Sequence, residues 1–213
     1  MGDAVFDAFY AANVQFIVNA TYQQATVREA GAQLLDKIGK EVVLFGHSQG
    51  GSMPLLIADA RPDLVRALVL LEPIGPPFRE AVFGETEARK WGLTDIPVTY
   101  DPPVVDPEQD LVRKEFPSRG DGYVKCLLQS DEHTEPRQLV NLAAKPILVV
   151  TSEASYHAQY DYCTAEYLKQ AGCLRTDHME LEKIGIHGNG HMFFLEKNSH
   201  EIQQVIEDWI QQT

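Results

Sequence analysis

Gly46-His47-Ser48-Gln49-Gly50-Gly51 follows the apolar run Glu41-Val42-Val43-Leu44-Phe45 and precedes Ser52 to Ala60, which has helical character. A G-x-S-x-G sequence between a strand and a helix has the setting of a nucleophile elbow. The chemistry explains the spacing. A serine held on a tight turn at positive φ projects its hydroxyl off the end of the strand, and side chains two residues to either side would collide. Gly46 and Gly50 are therefore expected to be glycine for steric reasons. The Gln49 backbone N–H, at the start of the helix, is the expected donor to an oxyanion, where the helix dipole is positive.

Outward from that turn, the chain alternates between two periods. Asp3 to Ile17 and Thr26 to Ile38 carry apolar residues at helical spacing, the second stopping at Gly39. The run Glu41–Phe45 reads as a strand buried on both faces. Ala67–Leu71 and Pro146–Val150 repeat that character, and Met179–Ile184 is expected as a fourth strand. Tyr160–Ala171 and Ser199–Gln211 read as helices, the latter with Ile202, Val205, Ile206, Trp209 and Ile210 on one face. Strands separated by helices imply a parallel sheet built from βαβ units. Residues 74–144 break the rhythm and hold 8 of the 12 prolines. A segment of that length is expected to be a lid or cap inserted over the C-terminal edge of the sheet.

Composition narrows the function classes. The 213 residues include 18 Lys and Arg against 31 Asp and Glu, a net charge of −13. Nucleic acid and anionic membrane surfaces are disfavoured as partners. No apolar run of about 18 residues exists to span a bilayer. The segment before Asn19 lacks the basic start of a signal peptide, so a cytoplasmic location is the default and secretion would need a longer N-terminus. Cys126, Cys163 and Cys173 form too sparse and odd a set for a disulfide framework and read as buried or half-buried thiols. Asn19-Ala20-Thr21 matches the glycosylation pattern, which matters only in a secreted chain.

A serine nucleophile needs a base and an acid to orient it. Seven histidines are available: His47, His133, His157, His178, His187, His191 and His200. His187-Gly188-Asn189-Gly190-His191 lies after the last expected strand, in a glycine-rich loop. There His191, anchored by the following Met-Phe-Phe-Leu, is the candidate base and His187 a supporting loop residue. Those glycines argue against the two histidines sharing a helical face, and so against a metal site. No cofactor is implied. Two carboxylates compete for the third role: Glu153 ends the strand after the insertion, and Glu72 ends the strand after the elbow helix. A charge that finishes a buried strand requires a partner.

Gly46–Gly51, Leu-Glu-Pro-Ile-Gly-Pro-Pro (71–77), Trp-Gly-Leu-Thr-Asp-Ile-Pro (91–97), Thr-Tyr-Asp-Pro-Pro (99–103) and Gly-Asn-Gly-His (188–191) together resemble a branch of the α/β-hydrolase superfamily. That branch contains a bacterial esterase and many uncharacterised fungal proteins. The resemblance runs from about Arg28 to the C-terminus. It implies a three-layer fold with a largely parallel sheet, a Ser–His–Glu triad, and hydrolysis of a carboxylic ester without cofactor or metal. It favours Glu72 over Glu153 as the acid. A complete fold of this type has several strands before the elbow, and one early loop, often H-G-x-G, gives a second oxyanion donor. The 45 residues before Gly46 read as helical and hold no such motif. The expectation is an N-terminally truncated or shortened domain with an uncovered sheet edge, prone to self-association. Two rival readings use the same residues: a non-catalytic hydrolase-fold binding protein, and a lyase or isomerase on that fold. Phe78, Phe83, Trp91 and Tyr100 are expected either to line an apolar substrate site or to form the core of the insertion.

Overall fold

A computed structural model describes residues 2–132 and 135–213; His133 lies outside the described residues, with Met1 and Thr134. In chain order, α1 (Ala4–Ala11) and α2 (Ala20–Ile38) precede β1 (Val42–Ser48), α3 (Met53–Ala60) and β2 (Val65–Pro73). The inserted segment contributes α4 (Pro107–Asp110), β3 (Arg113–Phe116) and β4 (Cys126–Gln129). Then come β5 (Ile147–Thr151), α5 (Asp161–Gln170), β6 (Thr176–Glu180) and α6 (Ser199–Gln211). Four strands form a parallel sheet in the order β1-β2-β5-β6.

The uninterrupted apolar runs of β2 and β5 follow from their interior places, where both faces are covered. Leu68, Leu70, Ile147 and Val149 pack with Leu35 of α2, Leu55 and Leu56 of α3, and Tyr167 and Leu168 of α5. Val69, Leu148 and Val150 pack on the other side with Ile202 and Ile206 of α6. Each such side chain contributes about 1.5–3 kcal/mol by leaving water. The result is the three-layer arrangement expected from the sequence. No helix among the described residues is long and apolar enough to cross a membrane.

Residues 74–146 join the larger of these cores. Phe78, Leu93, Tyr100, Leu111 and Leu142 pack in it with the helices, and β3 pairs antiparallel with β4. Polar ties add to this. Gln24 and Asp95 exchange two hydrogen bonds, and the Asp59 carboxylate accepts from the Thr99 amide.

Five expectations need correction. The strand at 41–45 is half-covered rather than buried on both faces, and Phe45 is 53% exposed. Its outer edge has no strand partner among the described residues, so β2 is its one strand neighbour there. The last strand is Thr176–Glu180, not 179–184; Leu181–Ile184 is a 3₁₀ turn closed by Gly185 at φ 86. The polar Thr176, Asp177 and His178 concealed it, and an edge strand tolerates them. The first helix stops at Ala11, where Asn13 Nδ2 donates to the Phe9 carbonyl, and none of its residues is buried. The second starts earlier than read, at Ala20, because the Asn19 side chain accepts the Tyr22 amide as an N-cap.

The fifth correction concerns the cysteines. Cys126 and Cys163 form a disulfide with Cα atoms 5.2 Å apart, leaving only Cys173 free and buried. They are 37 residues apart in sequence, and only the packing of β4 against α5 brings them together. The bond ties the insertion to the helix behind β5. By the loop-closure rule, reduction is expected to cost about 3–4 kcal/mol, seen as a fall in Tm. A Tm unmoved by reductant, with three titratable thiols in the unfolded protein, would show that the bond does not form.

Candidate active site

β1 and β2 run parallel and end together, with Ser48 in register with Pro73. Each strand has a residue with positive φ at its end: Ser48, the last of β1, at 56°, and Glu72, the last but one of β2, at 44°. Conformations of this kind cost about 1–3 kcal/mol and persist only where the surroundings enforce them. Here the Ile74 amide donates to the Ser48 carbonyl (2.8 Å), stitching the two strand ends together. A Cβ at Gly46 would lie 2.4 Å from the Gly50 carbonyl oxygen, so glycine is required there. Gly50 departs from expectation, because a Cβ there would meet nothing within 4 Å. The close approach falls one residue later. A Cβ on Gly51 would sit 2.4 Å from the Pro73 Cα, where the turn backs onto the end of β2.

The Ser48 hydroxyl lies 2.8 Å from His191 Nε2, and His191 Nδ1 lies 2.6 Å from Glu72 Oε2. A carboxylate beside Nδ1 fixes the proton there, which leaves Nε2 to accept from the serine. Glu72 is fully buried, and its oxygens also accept from the Ser152 amide (2.8 Å) and the Ser155 hydroxyl (2.6 Å). Gln49 opens a 3₁₀ turn directly after Ser48. Its amide is among the first in that turn and has no donor role within it.

Glu153 is placed differently. It is 44% exposed on its side chain and accepts from the Gly188 amide (2.8 Å) and from His187 Nδ1 (3.2 Å). Its carboxyl is held below the usual range, chiefly by that amide. Glu153 and His187 thus pin the loop that carries His191, and Glu196 does the same from the other side through the Gly190 amide (2.9 Å). His187 and His191 therefore turn to different carboxylates. Among the described residues, the grouping with metal-ligand character is Glu72, His157 and His191, whose polar atoms already bond one another or their neighbours.

Of the four aromatics singled out in the insertion, Phe78 and Tyr100 are core residues, and Trp91 packs against them. Only Phe83 stands at the site, exposed, its ring 4.8 Å from that of Tyr156. Sequence reasoning missed Tyr156, whose ring centroid lies 5.1 Å from that of His191 and whose phenol is raised by burial and by Glu72. It also missed His157, Asp161 and Ser155. The one available signal was a histidine four residues before an aspartate at the start of a helix.

The profile of the alpha/beta hydrolase family matches residues 14–205. The chain belongs to that family. A probable secreted lipase, phiG, from a fungal species is 46% identical over 211 residues, covering 99% of this chain and 57% of the relative. Lipase LipV from Mycobacterium tuberculosis is 42% identical over 93 residues, covering 37% of this chain and 36% of that protein. The chain therefore spans little more than half the length of the fungal relative. Similar solved structures include a novel bacterial esterase (19% identity, TM-score 0.48, covering 85% of this chain and 41% of that one). Another is a monoacylglycerol lipase from Paleococcus ferrophilus (17%, TM-score 0.49, 88% and 74%).

The glycine contacts give a direct test of the turn. Gly51→Ala is expected to destabilise by about 1–3 kcal/mol through overpacking, and Gly50→Ala by about 0.5 kcal/mol or less. Denaturant unfolding of the two variants checks the order, and a reversed order would overturn this account of the elbow.

Proposed function

We propose that this member of the alpha/beta hydrolase family is a carboxylic ester hydrolase acting through Ser48, His191 and Glu72. The observation that carries the reading is the unbroken chain from Ser48 Oγ through both His191 nitrogens to a buried glutamate. In acylation, His191 Nε2 takes the Ser48 proton as Oγ attacks the ester carbonyl. The tetrahedral oxyanion accepts from the Gln49 amide at the head of the helical turn. The imidazolium is stabilised by Glu72 and returns its proton to the departing alcohol. Water, deprotonated by the same nitrogen, then releases the acid. Glu72 orients the ring without taking the proton.

The two relatives named as lipases support an ester with an apolar acyl chain as substrate. Exposed Phe83 beside Tyr156 offers that chain an apolar wall, and residues 74–144 act as the cap over the site. The Cys126–Cys163 bond suits folding in an oxidising compartment.

Hydrolysis of p-nitrophenyl esters tests the assignment. Ser48→Ala is expected to abolish turnover. Glu72→Gln should lower kcat by about 10⁴-fold, by analogy with amides of other triad acids. Glu153→Gln should cost about tenfold or less, because it loosens the base's loop without touching the ring. Loss on Glu153→Gln matching that on Glu72→Gln would move the acid's role to Glu153. Product formed without net hydrolysis would favour a lyase or isomerase.

A further inference from the structure

His191 is stacked as well as hydrogen-bonded. The His157 imidazole lies flat against it, with centroids 4.6 Å apart and planes within 4°. His157 is itself held at both nitrogens. Nδ1 is 2.9 Å from Asp161 Oδ1, and Nε2 is 3.1 Å from the Tyr160 hydroxyl. Its amide donates to Ser155 Oγ (3.2 Å), and that hydroxyl donates to Glu72. The ring cannot turn without breaking buried hydrogen bonds and leaving their partners unsatisfied.

The titratable groups facing this ring are Glu72 from β2, His191 from the loop after β6, and Asp161, Tyr160 and Tyr156 from its own turn and helix. Burial lowers His157 to about 3 and raises Asp161 well above its usual range. Both directions disfavour charge on this buried pair. Asp161 gains a further bond from the Thr151 hydroxyl (2.8 Å), so the pair is satisfied without taking on charge. An imidazolium forming on His191 therefore meets a neutral π face, which attracts it; a charged ring at that distance would repel it.

We propose that His157 is a positioning residue for the base: a flat plate, locked at both nitrogens, that holds the His191 ring in the plane joining Glu72 to Ser48. The Nδ1–Glu72 bond alone is a hinge, because the ring can tip about it and carry Nε2 away from the serine. The plate blocks that motion on one side. His47, its ring 4.5 Å from His191 and its Nε2 3.0 Å from the His191 carbonyl, limits the backbone that carries the ring. The triad is complete without His157, so its contribution is to geometry.

The proposal rests on the triad reading, and the experiment separates the two. His157→Phe keeps the flat neutral face and loses the hydrogen bonds; His157→Gln keeps hydrogen-bonding capacity and loses the face. With p-nitrophenyl butyrate as substrate and kcat corrected for the folded fraction, the Phe variant is expected to stay within about threefold of wild type. The Gln variant should lose about 10- to 100-fold in kcat with KM nearly unchanged. Tyr160→Phe, which removes one of the two locks, should lose about twofold. Full kcat in the Gln variant, or equal losses in Phe and Gln, would overturn the proposal in favour of a purely structural role. Should the wild type not turn over ester, the hydrolase reading fails, and the plate is read instead by NMR of histidine-labelled protein. The His191 Nδ1–H resonance is expected sharp in wild type and the Phe variant and broadened in the Gln variant; an equally sharp signal in Gln overturns it. If neither His157 variant folds, Tyr160→Phe decides, and unchanged kcat together with an unchanged resonance overturns it.

Discussion

One buried carboxylate organises this molecule. Glu72 has no access to water, and an acidic side chain in that position is tolerated only when donors surround it. The donors come from two stretches far from it in sequence: Ser152 and Ser155 after β5, and His191 after β6. Satisfying that single group fixes where β2, β5 and the loop before α6 must meet. The geometry around Ser48 follows from the requirement. Once Glu72 is held, His191 Nδ1 is held, and the ring has only the tilt about that bond left to set before Nε2 meets Ser48 at the end of β1.

The parts of this arrangement legible in sequence were those governed by local rules. The elbow was readable because positive φ and tight packing restrict residue types over a few positions, and α6 because its apolar face repeats over many turns. The rule located Gly46 correctly but assigned to Gly50 a crowding that belongs to Gly51, because which residue backs onto Pro73 depends on how β2 ends. The strand at Thr176–Glu180 was hidden by its polar residues, and the 3₁₀ turn after it had the apolar look of a strand. The disulfide and the buried pair of His157 and Asp161 were out of reach for a different reason. Each depends on packing between α5 and its neighbours, and no spacing rule within the chain encodes it.

The insertion shows how an irregular segment can be made firm. Between β2 and β5 it has little regular structure, yet its apolar side chains enter the same core as α3 and α5. Arg89, nearly fully buried, donates to the Pro76 carbonyl and pairs with Glu80, binding the first loop of the segment to itself. Tyr100 and Tyr167 join hydroxyls at 2.5 Å across the boundary with α5. Such contacts bury Phe78 and Tyr100 within the insertion and leave Phe83 exposed.

The two residues with positive φ at the strand ends set an order in which this site would decay. Glycine at position 48 would relieve backbone strain and break no buried bond of comparable worth, so a lineage released from the site's demands would gain stability there at once. Glycine at position 72 would relieve similar strain but orphan the buried Ser152 amide and the Ser155 hydroxyl, which offsets the gain. Descendants under relaxed selection would therefore lose the serine first and keep the glutamate as a fossil of the architecture. The joint presence of both in one chain is the state that drift would erase earliest.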